Sequence, residues 1–322
     1  MPNLLKLFDP MVRLLLAALV LAFVLPVQGA ALDIAHALVN CGVFALFLLN
    51  GLKLSRVQVV RGLTDWRYHG TLALFVFGVM VLGGWAGWQV AEGVLPPVLA
   101  LGFLYLGGLP STVQSATAYT SLAEGNVAHA VVGAAMLNVL GVFVSAPLFA
   151  ALAGESGFAL QSSVLIKVGA ILLLPFALGQ ILQPRFGHLV TERPQLTRWF
   201  DRGVIAMSVY VAMSGAVADG VAQLLEADQW AWLAGIAVAL LAVATLAAWL
   251  VPSLLGMGRP DRIAFMFAGS QKSIAMGAPL ATILFDAQTA GLILLPILTY
   301  HFAQLVLAAP LAERLRGPVS PA

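Results

Sequence analysis

The sequence predicts an all-α polytopic membrane protein of ten transmembrane helices in two inverted five-helix repeats, and three observations lead there. Of its 322 residues, 61% are hydrophobic and only 9% charged, with a mean hydropathy of +0.97, a composition unlike that of a water-soluble domain. The apolar residues fall into ten runs, most of them close to the ~20 residues that cross a bilayer with some tilt. With the amino terminus in the cytoplasm and sides alternating, all sixteen Lys and Arg residues except Lys167 and Lys272 lie at cytoplasmic ends, as the positive-inside rule requires.

The first run, Met11–Val27, follows Lys6 and precedes Gln28-Gly29-Ala30. That tripeptide is a poor cleavage site and a second apolar run begins almost at once, so a retained helix is expected instead of a signal peptide. Leu32–Leu52 is the second run, closed by the basic stretch from Lys53 to Arg67, and Tyr68–Ala91 is the third. The fourth begins near Leu95 and contains Gly107-Gly108-Leu109-Pro110-Ser111-Thr112, and the fifth follows Asn126 and ends near Leu152. A short polar link, Gly154-Glu155-Ser156-Gly157, then divides the chain into halves, residues 1–153 and 158–322. Runs six to ten fall near Val164–Leu182, Gly203–Val217, Trp230–Leu255, Ile263–Leu284 and Ala290–Leu311. Five crossings per half is an odd number, so a duplicated second half enters from the opposite side and the repeat is inverted. The fourth and ninth runs occupy matching places and are the most interrupted by Gly, Pro, Ser and Thr, a pairing that points to a transporter binding site. Either run alone would be explained by small residues that let helices pack closely.

Lys272 is the outlier among the charges. A fixed ammonium near mid-membrane costs roughly 2.5–3.5 kcal/mol on insertion scales; Lys167 is close enough to a helix end to snorkel outward, and Lys272 is not. Gly269, Ser270, Gln271, Ser273 and Gly277 surround it and make the run easy to break. A broken helix exposes backbone groups that can hold a solute where they line protein or a cavity. The candidate solute- or ion-binding residues are Ser111, Thr112, Gln114 and Ser115 in the fourth run, Asn138 in the fifth, Ser270, Gln271, Lys272 and Ser273 in the ninth, and Gln304 in the tenth. For Asn138 the simpler role is an amide bond to a neighbouring helix. Tyr300 and Gln304 share one face of the last helix, while His301 points elsewhere.

Other classes are set aside on the same residues. A net charge of +2, spread between apolar runs, gives no footprint for nucleic acid. The single cysteine, Cys41, excludes an intrachain disulfide and a cysteine-built metal cluster, and no cofactor or metal centre is expected. Lys272 beside Ser270 and Ser273 raises a Ser-Lys hydrolase as a remote alternative, but nothing supplies an oxyanion site, so no enzyme is expected. The nearer alternative to a transporter is a non-transporting membrane regulator built on the same fold.

Four segments, Leu109–Ala128, Asn138–Leu148, Gly269–Ala281 and Leu295–Gln304, make the chain resemble the bile acid:sodium symporter superfamily, within it the symporter-like subgroup of bacterial and vertebrate proteins. The resemblance implies a panel domain of helices 1, 2, 6 and 7 and a core domain of helices 3–5 and 8–10, with helices 4 and 9 crossing at their breaks. It also implies alternating-access transport of a small organic, anionic solute across a lipid bilayer, here the bacterial inner membrane, in which the distribution of basic residues puts both termini on the cytoplasmic side. In the sodium-coupled members the ninth helix reads Glu-x-Gly-Met-Gln-Asn-Ser; the matching positions here are Phe267 to Ser273, so the liganding carboxylate has become Phe267. The family's Ser-Asn pair falls near Ser115-Ala116 or Ala116-Thr117, and its hydroxyl ligands in the fifth helix fall on Ala130 and Ala134. Sodium is therefore not the expected coupling ion. An ammonium can stand in for the lost cation, and if it releases a proton during the cycle, protons couple the transport.

Overall fold

The computed structural model describes residues 10–53, 65–154, 166–218, 220 and 225–316. Lys6, Arg56, Arg61, the link at Glu155–Gly157 and Ala322 lie outside the described residues. The described residues form helices and no strand. They are α1 (Pro10–Val24), α2 (Ala30–Lys53), α3 (Trp66–Glu92), α4 (Pro97–Gly107), α5 (Val113–Leu122), α6 (Val127–Gly154), α7 (Ile166–Thr191), α8 (Pro194–Ala218), α9 (Ala227–Leu254), α10 (Arg259–Ser270), α11 (Ile274–Leu284) and α12 (Ala287–Leu315). Seven of them, α2, α3, α6, α7, α8, α9 and α12, are long and apolar enough to span a membrane, which makes this an integral membrane protein. The fourth and ninth apolar runs are each occupied by two short helices separated by a non-helical stretch, 108–112 between α4 and α5 and 271–273 between α10 and α11.

Local chemistry accounts for most of the boundaries. α1 has only 15 residues because Pro26 follows it and disfavours helix in the residue before. Pro97, Pro194 and Pro260 sit in the first turns of α4, α8 and α10, where a missing N–H costs nothing. α8 begins at Pro194, about two and a half turns before the apolar run at Gly203, and Asp201 in that added stretch pairs with Lys53 at the end of α2. α9 closes on Gly256, whose φ of 69° suits a residue without Cβ, and Met257 N donates back to Pro252 O at 2.9 Å.

The chain divides into two compact units. The first joins Met1–Ser55, Ala150–Ala227 and Ala275–Leu295, and so holds α1, α2, α7, α8, α11 and the start of α12. Within it α2 and α7 approach at Gly51 and Gly179; a Cβ on Gly51 would lie 2.9 Å from the Gly179 Cα, the small-residue packing expected of membrane helices. Tyr210 on α8 donates to Leu25 O at 2.8 Å.

The second unit joins Arg56–Phe149, Asp228–Ile274 and Pro296–Ala322, the boundary in α12 falling at Pro296. Its centre is an apolar cluster that includes Leu72, Phe75, Ala116, Ala130, Ile263 and Phe267. At one end His129 on α6 places Nε2 3.0 Å from Asp65 and Nδ1 2.9 Å from Asp261, while Asn126 donates to the same Asp261 oxygen at 2.8 Å. These bonds tie the starts of α3, α6 and α10 together. α3 carries one wide turn, Phe75–Val79, a local departure often found beside functional sites; Phe75 there packs against Gly269, where an added Cβ would meet the ring at 3.0 Å.

Candidate functional site

The non-helical stretch after α4 leaves backbone carbonyls with no intrahelical partner, and in a membrane each of these needs one from elsewhere. Five successive carbonyls find donors. Lys272 Nζ donates to Gly107 O at 2.8 Å and to Leu109 O at 2.7 Å. Ser145 Oγ donates to Gly108 O at 2.8 Å, Ser273 N to Pro110 O at 3.0 Å, and Asn138 Nδ2 to Ser111 O at 2.8 Å. Asn138, Gly141 and Ser145 recur on one face of α6, and Gly141 admits Pro110, since a Cβ there would lie 2.7 Å from the proline ring.

The second stretch runs alongside the first. Thr112 Oγ1 donates to Lys272 O at 2.8 Å, so the residue that starts α5 spends its hydroxyl across the gap and makes no side-chain cap to its own helix. Ser115 Oγ donates to Gln271 Oε1. Gln304 on α12 holds the Lys272 peptide from both sides, accepting from Lys272 N at 2.8 Å and donating to Lys272 O at 3.2 Å. Tyr300, one turn earlier, donates to Ser270 O at 2.6 Å.

Lys272 is 1% exposed, and no carboxylate pairs with it among the described residues. Its charge faces instead the carboxyl-terminal end of α4, where carbonyls and the helix dipole carry partial negative charge. Two charge-assisted bonds of this kind, worth about 1.5–3 kcal/mol each, are of the size needed to offset the cost of the buried ammonium.

Of the residues singled out in the sequence, Ser111, Thr112, Ser115, Asn138, Ser270, Gln271, Lys272, Ser273 and Gln304 are joined in this network through side chain or backbone. Gln114 is not: it is exposed, and its neighbour Ser115 takes the bond to Gln271. Ser270 is present through its carbonyl, while its hydroxyl donates to Met266 O on its own helix at 2.6 Å, leaving no Lys272–Ser270 dyad. Tyr300 and Ser145 were not assigned a role from sequence; Ser145 stands seven residues after Asn138, the two-turn spacing that was its signal. Among the described residues no group of three or more His, Cys, Asp or Glu could hold a metal ion.

A description of the SBF-like CPA transporter family matches residues 9–317. The chain belongs to the SBF-like CPA transporter family. It is 38% identical to an uncharacterized protein of Pseudomonas aeruginosa, covering 93% of this chain and 90% of that one. It is 33% identical to Putative symporter YfeH of Escherichia coli, covering 98% and 95%, and 24% identical to Sodium/bile acid cotransporter 7-A of Xenopus laevis, covering 94% and 90%. A member of the SBF-like CPA transporter family works in a lipid bilayer on a transported solute, and the paired stretches at 108–112 and 271–273 form a buried polar network in this one's second unit.

A crosslink tests the pairing. With Cys41 replaced by Ser, Ser115→Cys together with Gln271→Cys should join with a short bifunctional reagent, because the native side chains are hydrogen-bonded. Gln114→Cys with Gln271→Cys should not join. Equal yields from the two pairs, read as a mobility shift after proteolysis between them, would contradict the geometry.

Proposed function

We propose that this chain is a secondary transporter of a small organic anion, working by alternating access without sodium, in which the Lys272 ammonium takes the place of a bound cation at the crossing of two broken helices. The observation that carries it is the pair of bonds from Lys272 Nζ to the Gly107 and Leu109 carbonyls. A fixed positive group there neutralises the end of α4 as an ion would. In this reading α4 with α5 is the fourth transmembrane helix and α10 with α11 the ninth. The chain then makes ten crossings in two inverted repeats, residues 1–153 and 158–322. The grouping of α1, α2, α7 and α8 in one unit and of α3 to α6 and α9 in the other supports a panel of helices 1, 2, 6 and 7 and the placing of helices 3–5 and 8 in the core; α11 and the start of α12 fall in the first unit, so helices 9 and 10 join the core only through α10 and the remainder of α12.

The absence of sodium is supported by what occupies the positions that hold it in coupled relatives. Phe267, Ala116 and Ala130 belong to one apolar cluster, Phe267 is 2% exposed and its ring lies 5.8 Å from that of Tyr119. A hard cation requires a cage of oxygens, and these side chains offer none. The solute would meet Ser111, Thr112, Ser115, Gln271 and Gln304, and the first amides of α5, which Thr112 leaves uncapped, suit an anionic group.

Uptake into proteoliposomes is the test. Solute accumulation should persist when sodium is replaced by choline and should respond to an imposed proton gradient. Strict dependence on sodium would sink the surrogate role, and absence of transport for any organic anion would favour a regulator of the same fold. Orientation is checked separately: a reporter fused after Arg316 should read as cytoplasmic in the bacterial inner membrane, and one after Gly154 as being on the opposite side, given the distribution of basic residues.

A further inference from the structure

Between α9, α10 and α12, wholly within the second unit, lies a cavity of about 610 Å³, inside the ~300–1,000 Å³ range of small-molecule sites. Its walls are almost entirely apolar. Four polar residues line it, and three have their groups engaged: Thr245 Oγ1 donates to Leu241 O at 2.8 Å, Ser270 Oγ to Met266 O at 2.6 Å, and Gln304 holds Lys272 and lies 2.9 Å from His301 Nδ1. The fourth is Gln271. Its Oε1 accepts from Ser115, while Nε2 is buried with no partner, and the residue is 2% exposed. A buried amide donor left unbonded costs about 1–3 kcal/mol, which a ligand oxygen would recover.

The rim shows where that ligand comes from. Leu246 on α9 and Leu307 on α12 line the cavity and are 60% and 49% exposed, so the opening is on the apolar flank of spanning helices. A molecule enters sideways from the bilayer. No cation lines the walls, and an ionised head buried against a neutral amide would go uncompensated.

We propose that this cavity binds a membrane-borne molecule with one apolar chain or body and a single uncharged oxygen acceptor, such as a long-chain alcohol or ketone, its oxygen accepting from Gln271 Nε2. The occupant would contact the residue that bonds Ser115 on α5 and precedes Lys272. The cavity shares Gln271 and Gln304 with the residues assigned to the solute, but its occupancy is read by labelling and does not depend on transport.

The experiment uses the whole protein in phosphatidylcholine nanodiscs with diazirine-bearing hexadecanol, the labelled peptides being mapped by mass spectrometry. Label should concentrate in residues 241–249 and 307–315, saturate, and be displaced by unlabelled hexadecanol. Ala308→Trp should lower it at least about tenfold by filling the cavity, and Gln271→Leu about threefold to tenfold by removing one hydrogen bond. Ala242→Trp fills the same space from the more exposed wall and serves if Ala308→Trp elutes as aggregate. Unsaturable label spread evenly over lipid-facing helices, stronger labelling by diazirine-bearing palmitate, or unchanged labelling in both Trp variants would each overturn the proposal.

Discussion

Lys272→Gln should reduce transport at least about a hundredfold, the equivalent of ~2.7 kcal/mol, while the protein still inserts. Two opposing terms set this outcome. Removing the ammonium relieves an insertion cost of roughly 2.5–3.5 kcal/mol, whereas the Gly107 and Leu109 carbonyls lose charge-assisted partners worth about 1.5–3 kcal/mol each. A glutamine amide is shorter and offers two donors on one nitrogen, so it can satisfy at most part of the pair. Stability thus changes by a few kcal/mol at most, and what disappears is the positive charge at the end of α4. Uptake in proteoliposomes, normalised to inserted protein, is the readout. If the surrogate role holds, sodium does not rescue Lys272→Gln, but a carboxylate restored by Phe267→Glu in the same chain allows it to. Full activity of Lys272→Gln would show that the lysine merely fastens two loops together.

The parts of this site that were legible in the sequence are those that break a local rule. A lysine in an apolar run, and two matched runs interrupted by Gly, Pro and Ser, conflict with uninterrupted membrane helix, and the structure has non-helical backbone at both places. Gln304 and Asn138 were found because amides are rare inside such runs. What stayed hidden depends on distant backbone. Tyr300 and Ser145 donate to carbonyls 30 and 37 residues away in the chain, and no local pattern says that those carbonyls are free. Gln114 was included for its chemistry, but one step along a helix turns a side chain about 100°, and α5 gives that face to its surroundings and Ser115 to Gln271. The start of α8 was misplaced because Arg198, Asp201 and Arg202 end the apolar pattern without ending the helix. The wide turn in α3 has no sequence mark at all.

Gly84→Val should be the most destabilising single change in the second unit outside the Lys272 network. α3 and α4 meet there with nothing between their backbones: a Cβ on Gly84 would lie 2.7 Å from the Gly107 Cα and 2.7 Å from Phe103 O, and one on Gly107 would lie 2.9 Å from Met80 O. The atoms in the way are main chain, so no rotamer change relieves the clash and the helices must separate. Overpacking of this kind costs about 1–3 kcal/mol or more, and here the displaced residue, Gly107, is also an acceptor of Lys272. Transport should therefore fall with stability. Gly87, one turn along α3, supplies the control: its added Cβ would meet the Phe103 side chain at 3.5 Å, an ordinary contact, so Gly87→Ala should be at least as stable as the parent, by up to about 1 kcal/mol. Thermal unfolding of the two purified variants, followed by fluorescence-detected size exclusion, separates them. A Gly84→Val protein as stable and active as Gly87→Ala would mean that α3 and α4 do not depend on this contact, and that the end of α4 is free to move relative to α3 without disturbing Lys272.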